Sequence, residues 1–188
     1  MRRAGTGMAL AVMLLSEVPS AQAGPKLIPD RDVDIGYRVS MPDEPAFNRR
    51  VRWQASSQLE RVDGPGNAIV IMDHRTHYET LLRSENRTYL KIRVPPDGIL
   101  DPSPDVPRTS TGQAKIAGLP CTEWNWTTPE DQKPLSICVT DDGVLLRERM
   151  DGHIVIQATS VHYRKLKPST FAVPDNFEPS LAPGGLVE

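Results

Sequence analysis

The stretch "DVDIGYRVSM", residues 32–41, sets apolar Val33, Ile35, Tyr37, Val39 and Met41 against Asp32, Asp34, Arg38 and Ser40. A period of two sends the two sets to opposite sides of an extended strand, one to be buried and one to be wetted. "NRRVRWQAS" (48–56) repeats the pattern, with Val51, Trp53 and Ala55 opposed to Asn48, Arg50, Arg52 and Gln54. "AIVIM" (68–72) is apolar on both sides, as befits a central strand. "HYETLLR", "RTYLKIRV", "AKIAG", "LPCTEWNWT", "LSICVT", "VLLRERM" and "HIVIQATSVHY" follow, and none of these stretches holds a helical spacing.

The punctuation between the runs suits hairpins. "DGPGN" (63–67), "SEN" (84–86) and "DDG" (141–143) are polar turns, and Asp151-Gly152 fits the positive φ angles of a two-residue type I′ loop. About ten strands at this spacing form a meandering antiparallel sheet, either a sandwich or a barrel. The fold class is mainly β, in one domain over 32–178. "PPDGILDPSPDVP" (95–107) holds five prolines, which remove backbone donors. The segment 95–108 is therefore a long Pro-rich loop, either a flap over the sheet or a surface excursion.

The first 23 residues stand apart. Arg2 and Arg3, the apolar "MALAVMLL" (8–15) and "AQA" (21–23) make a three-part secretory leader, with cleavage expected after Ala23. Residues 24–31 are then an N-terminal lead-in, and 179–188 a flexible tail. No later run reaches the ~18 apolar residues that span a bilayer, so the chain is not expected to cross a membrane. The leader implies a periplasmic, oxidising compartment. Without Arg2, Arg3 and Glu17, the 22 basic and 24 acidic residues leave a net charge of −3. That balance excludes nucleic acid as a partner class, because phosphate binding needs a basic field.

The two cysteines, Cys121 and Cys138, are expected to form a structural disulfide. With Pro129-Glu130 at the hairpin tip, Cys121 faces Cys138, Trp124 faces Leu135 and Thr122 faces Ile137. The cysteines then share the more polar face with Glu123, Asn125 and Ser136. The pair would close a loop of about 18 residues, worth up to ~3 kcal/mol.

"MDHRTHYETLL" (72–82) gathers Asp73, His74 and His77. Strand runs on either side make "DHRT" a turn in which Asp73 accepts a backbone N–H. A metal reading would use His74 and His77, but a catalytic zinc needs a third protein ligand, and His153 and His162 are too far apart for both to join. There is no G-x-S-x-G elbow, H-E-x-x-H or phosphate-cradling glycine loop, so neither catalytic residues nor a cofactor are expected. Trp53, Trp124, Trp126 and Tyr37 are the candidates for a ligand-cavity wall, with core packing as their alternative role.

"VRWQASSQLERVDG", "VIMDHRTHYETLLRSENRTYL" and "FAVPDNFEP" resemble the periplasmic LolA/LolB/RseB-like superfamily. "AGLPCTEW" and "CVTDDGVLLR" narrow this to a LolA-like family of secreted bacterial proteins. The resemblance covers most of 32–178. It implies a strongly curved antiparallel sheet, an open half-barrel whose concave face binds acyl chains or partner segments. The chain departs from the pattern in leaving no room for an N-terminal helix and in its proline-rich lid region. The expected function is a periplasmic, non-enzymatic module that holds a lipid acyl chain or lipoprotein. The alternatives are an envelope-sensing module whose partner is another envelope protein and, third, a His-based metal-dependent hydrolase.

Overall fold

The alternating stretch at 32–41 folds as β1 (Val33–Val39), buried at every apolar position within it. The structure is a computed structural model and describes residues 24–95, 106–127 and 133–180. Around β1 are β2 (Phe47–Gln54), β3 (Leu59–Asp63), β4 (Ala68–Asp73), β5 (Tyr78–Arg83) and β6 (Thr88–Arg93). Then come β7 (Thr109–Ile116), β8 (Leu119–Thr127), β9 (Pro134–Val139), β10 (Leu145–Met150), β11 (His153–Tyr163) and β12 (Glu178–Pro179). All twelve lie in one sheet, ordered β12-β6-β5-β4-β3-β2-β1-β11-β10-β9-β8-β7. The ends do not meet, so the sheet is an unclosed, curved array. The only helical turns described are short 3-10 turns at Pro65–Asn67 and Pro168–Phe171.

Two strands exceed the expected ten. β3, "LERVD", has only Leu59 and Val62 as apolar residues, and they fall on opposite faces. Ion pairs replace an apolar stripe there: Asp63 meets both Arg52 of β2 and Arg61. β12 pairs with β6 in parallel, the one exception to the antiparallel meander. It ends the "FAVPDNFEP" segment, in which Phe171 is buried against Ile71, Leu82 and Leu166 while Phe177 packs at the margin. The turns follow their residues. Asp151 and Gly152 have φ of 50° and 79°, as the type I′ reading requires, and Ala117-Gly118 turns the same way between β7 and β8.

The Cys121–Cys138 disulfide is formed, with Cα atoms 5.4 Å apart. Its register differs from the expectation. Glu123 faces Cys138, Trp124 faces Ile137 and Trp126 faces Leu135, a slip of two residues. The bond therefore runs diagonally between the strands. The expected tip, Pro129-Glu130, lies outside the described residues. The surroundings differ too: the cysteines are 3% and 1% exposed and pack with Ile116, Val144 and Leu146 in the main core. Glu123, which shares the face of Cys138, spends its charge on Arg147 and Arg149.

Residues 24–31 form no helix; they are a strap laid on the sheet. Leu27 packs against the buried cluster of Trp126, Leu135, Ile137 and Val139. One peptide unit then joins distant elements, because the Pro29 carbonyl accepts from Trp53 Nε1 at 3.0 Å and the Asp30 N–H donates to Asp142 O at 3.0 Å. Trp53 is on β2, and Asp142 lies in the β9–β10 turn. On a flat sheet β2 and β10 would stand about 14 Å apart. Side chains from β2, β1, β11, β10, β9, β8 and β7 bury one another in a single cluster on the face bearing Trp53 and Tyr37, which makes that face the concave one.

Candidate functional site

Strand register assigns every side chain to one of two faces. On the concave face one row crosses seven adjacent strands. Val161 of β11 faces Ile35, which faces Val51. Val51 faces Val62, and Val62 faces Val70. Val70 faces Leu81, and Leu81 faces Leu90. Facing pairs on neighbouring strands stack side chains about 5 Å apart, so the row is continuous. Ile35 is in the main core and Val51 and Val161 pack on it. Val62, Val70, Leu81 and Leu90 are half-buried and belong to none of the buried clusters.

Over β4 and β5 the reverse face is closed. There Ile71 and Leu82 are buried beneath Leu166 and Phe171, with Leu59, Ile69 and Tyr89 around them. The chain's own C-terminal segment supplies the cover. The concave row over β3 to β6 has no such cover among the described residues.

The four aromatic candidates do not converge. Trp53 is 3% exposed and lies one position along from the row, facing Val33 on one side and Glu60 on the other. Tyr37 is in the same core; its hydroxyl donates to Leu145 O at 2.7 Å, and burial, then the Glu60 charge, push its pKa up. Trp124 and Trp126 belong to a separate cluster with Leu135 and Ile137, next to the strap. The residues of the row that sequence reasoning misses are Val62, Val70, Leu81 and Leu90. Each sits inside or beside a strand run with nothing to single it out, and only pairing register aligns them.

The histidine segment is a hairpin turn. Asp73 Oδ1 accepts from the N–H groups of Arg75 and Thr76 at 3.0 and 3.1 Å. Burial opposes ionisation of Asp73, but these hydrogen bonds, chiefly to Thr76, hold its pKa below the usual value. His74 turns inward, with Nε2 2.9 Å from Glu60 Oε2 and its ring edge-on to Trp53 at 5.1 Å. His77 has φ of 58° and ties back to the Asp73 carbonyl. Among the described residues no group of three His, Cys, Asp or Glu is placed to hold a metal. None of the described helices is long and apolar enough to cross a membrane.

No family model matches the chain, and no curated protein does. Solved structures do. An uncharacterized conserved protein from Thermus thermophilus aligns at a TM-score of 0.59 with 11% identity, covering 80% of this chain and 90% of that one. MucB aligns at 0.56 with 14% identity, over 83% of this chain and 65% of its own. The MucA/MucB complex of Pseudomonas aeruginosa aligns at 0.55 with 14% identity, over 80% of this chain and 58% of that one. The chain thus spans about three-fifths of MucB. At these identities the likeness is one of fold alone, shared with MucB.

Proposed function

We propose that this protein is a non-enzymatic binding module of the bacterial periplasm that holds a lipid acyl chain, free or on a lipoprotein, along the concave row. The row itself carries the reading: an apolar side chain on each of seven adjacent strands, four of them outside every buried cluster. At about 4.8 Å per strand it extends roughly 29 Å, enough for a long acyl chain lying across the strands. A ligand that removes these side chains from water gains about 25 cal/mol per Å² of apolar area. Trp53 would back the wall beside Val51, and Tyr37, Trp124 and Trp126 would stiffen the frame behind it. The leader expected over residues 1–23 and the Cys121–Cys138 disulfide support an oxidising compartment.

The test is native mass spectrometry of gently purified protein together with displacement of a fluorescent fatty acid. Saturable displacement is the expected result; no bound lipid and no displacement would sink the reading. A second reading has one observation in its favour, since MucB has been captured in complex with MucA(peri). An envelope protein's apolar segment could occupy the same row here. Pull-down from periplasmic extract then returns a partner that a fatty acid competes away.

A further inference from the structure

Behind the core, on the convex face, the side-chain layer has a gap at Gly36 into which the neighbouring hydroxyls of Ser160 and Thr159 lean. Gly36 of β1 sits between Arg50 of β2 and Ser160 of β11, its register partners. A Cβ there would come within 2.8 Å of Ser160 Oγ and 3.2 Å of Thr159 Oγ1, because the β1–β11 bulge crowds both hydroxyls against it. The gap floors an open groove of about 1080 Å³, with Asp34, Asn48, Arg50, His162 and Arg164 on its sides.

The hydrogen-bonding capacity left in this groove is one-sided. Both Asp34 oxygens are taken: Arg50 Nε and Nη2 donate at 2.7 Å each, and Arg164 Nη2 adds a third bond. Asp63, also on the wall, takes two hydrogen bonds from Arg61 on Oδ1, while its buried Oδ2 is ion-paired with Arg52 without a hydrogen bond. The Asn48 carbonyl oxygen accepts from Arg38, which leaves its NH₂ free. Arg50 Nη1, Arg164 Nε and Nη1 and the Asn48 amide remain as donors on the groove wall, with Ser160 Oγ beside its floor at Gly36. Four guanidiniums on this face, of Arg50, Arg52, Arg61 and Arg164, share two carboxylates. Half the side-chain surface of Arg50 and of Arg164 is open to solvent. Beneath them Arg52, 15% exposed, has a buried Nε with no partner. Its pKa is lowered to about 10 by burial first and then by Arg61 and Arg50. The cluster is short of negative charge.

We propose that the groove over Gly36 is a second binding site, separate from the apolar row, and that it takes a phosphate ester. The Arg50 fork is committed to Asp34, so the free donors are single N–H and O–H groups from four residues. Such a set suits a tetrahedral group with several oxygens better than a carboxylate, which a guanidinium fork binds in one plane. The open groove leaves room around one phosphate for the molecule that bears it, either a soluble ester or a phospholipid headgroup.

Amide chemical-shift titration of the full mature chain with glycerol phosphate, using glycerol as the blank, tests the soluble source. Co-sedimentation with phosphatidylglycerol vesicles, against phosphatidylcholine, tests the headgroup. Asn48→Asp adds a carboxylate to the groove without touching the Asp34 ion pairs; Ser160→Ala removes one donor. Saturable shifts centred on Gly36, Arg50 and Ser160, weakened at least about tenfold by Asn48→Asp, establish a soluble-ester site. Vesicle binding that Asn48→Asp abolishes, with no response to glycerol phosphate, establishes a headgroup site. Neither response, or responses that ignore both substitutions, overturns the proposal while leaving the fatty-acid result untouched.

Discussion

Arg50 grips Asp34 with two parallel hydrogen bonds, Nε to Oδ1 and Nη2 to Oδ2, each 2.7 Å long, across the β1–β2 seam. Asp34 is 4% exposed, so the pair is anchored in the layer while Arg50 reaches into solvent. The Arg50 hydrogen bonds, resisted by burial and helped by Arg164, lower the Asp34 pKa from 3.8 to about 2. A depressed carboxylate stabilises the fold fully above its unfolded pKa and loses that contribution as pH falls through the folded value. Stability should therefore drop by about 2 kcal/mol between roughly pH 4 and pH 2 on account of this group. Urea midpoints across that range measure it. Asp34→Asn should lower stability at neutral pH by about 1–3 kcal/mol and flatten the acid limb. An acid limb as steep as in the parent chain would assign the loss elsewhere.

Gly143 seats the strap. Its φ is +92°, and a Cβ there would lie 2.4 Å from the Ile28 carbonyl oxygen. Gly143→Ala therefore suffers both left-handed strain and a collision with backbone, which cannot swing away. Gly118, with φ of +81° and nothing within 4 Å, isolates the conformational part. Gly118→Ala should cost about 1 kcal/mol, whereas Gly143→Ala should cost at least about 2 kcal/mol more. Hydrogen exchange should show the Asp30 amide exposed only in the second. Equal costs in thermal melts would show that the strap does not need the glycine.

The disulfide sits in the core, which changes what its removal does. The bonded residues are 17 apart, so opening the loop costs about 3 kcal/mol in either background. Serines would add two hydroxyls to a pocket of Ile116, Val144 and Leu146, at about 1–3 kcal/mol each unless they find acceptors. Cys121→Ala/Cys138→Ala should thus be more stable than Cys121→Ser/Cys138→Ser. Denaturant unfolding of the two double variants gives the comparison, and a more stable serine pair contradicts the burial.

Legibility from sequence follows what each residue uses to hold its place. Val33, Ile35, Tyr37 and Val39 act through burial, which alternation displays directly. Asp73 and Asp151-Gly152 act through local backbone preference, also visible in the letters. The β8–β9 register differs by two residues from the one polarity suggests, because a shift of two keeps every side chain on its face and polarity cannot detect it. β3 escapes a search for apolar alternation because Arg61 and Asp63 hold it by charge. The strap acts through main-chain atoms, the Pro29 carbonyl and the Asp30 amide, which carry no residue signature. The groove depends on an absence, the missing side chain of Gly36, that matters only once Arg50 and Ser160 flank it.

Val70 and Ile71 are neighbours on β4 with opposite duties. Ile71 is 5% exposed and packs on Leu82, Leu166 and Phe171 behind the sheet. Val70 is half-buried on the concave row between Val62 and Leu81. Ile71→Ala leaves a cavity under the C-terminal segment and should cost about 2–4 kcal/mol. It should leave the affinity of the folded protein for a fatty-acid probe nearly unchanged, because the row is intact. Val70→Ser should cost only about 1 kcal/mol, since the position is partly hydrated already. It should weaken the probe about tenfold, because an acyl chain would then desolvate a hydroxyl in the middle of the row. Urea unfolding and probe displacement on the same two variants separate stability from binding. Should Ile71→Ala be the one that loses the probe, the ligand surface lies on the convex side and the concave row is only a thin core.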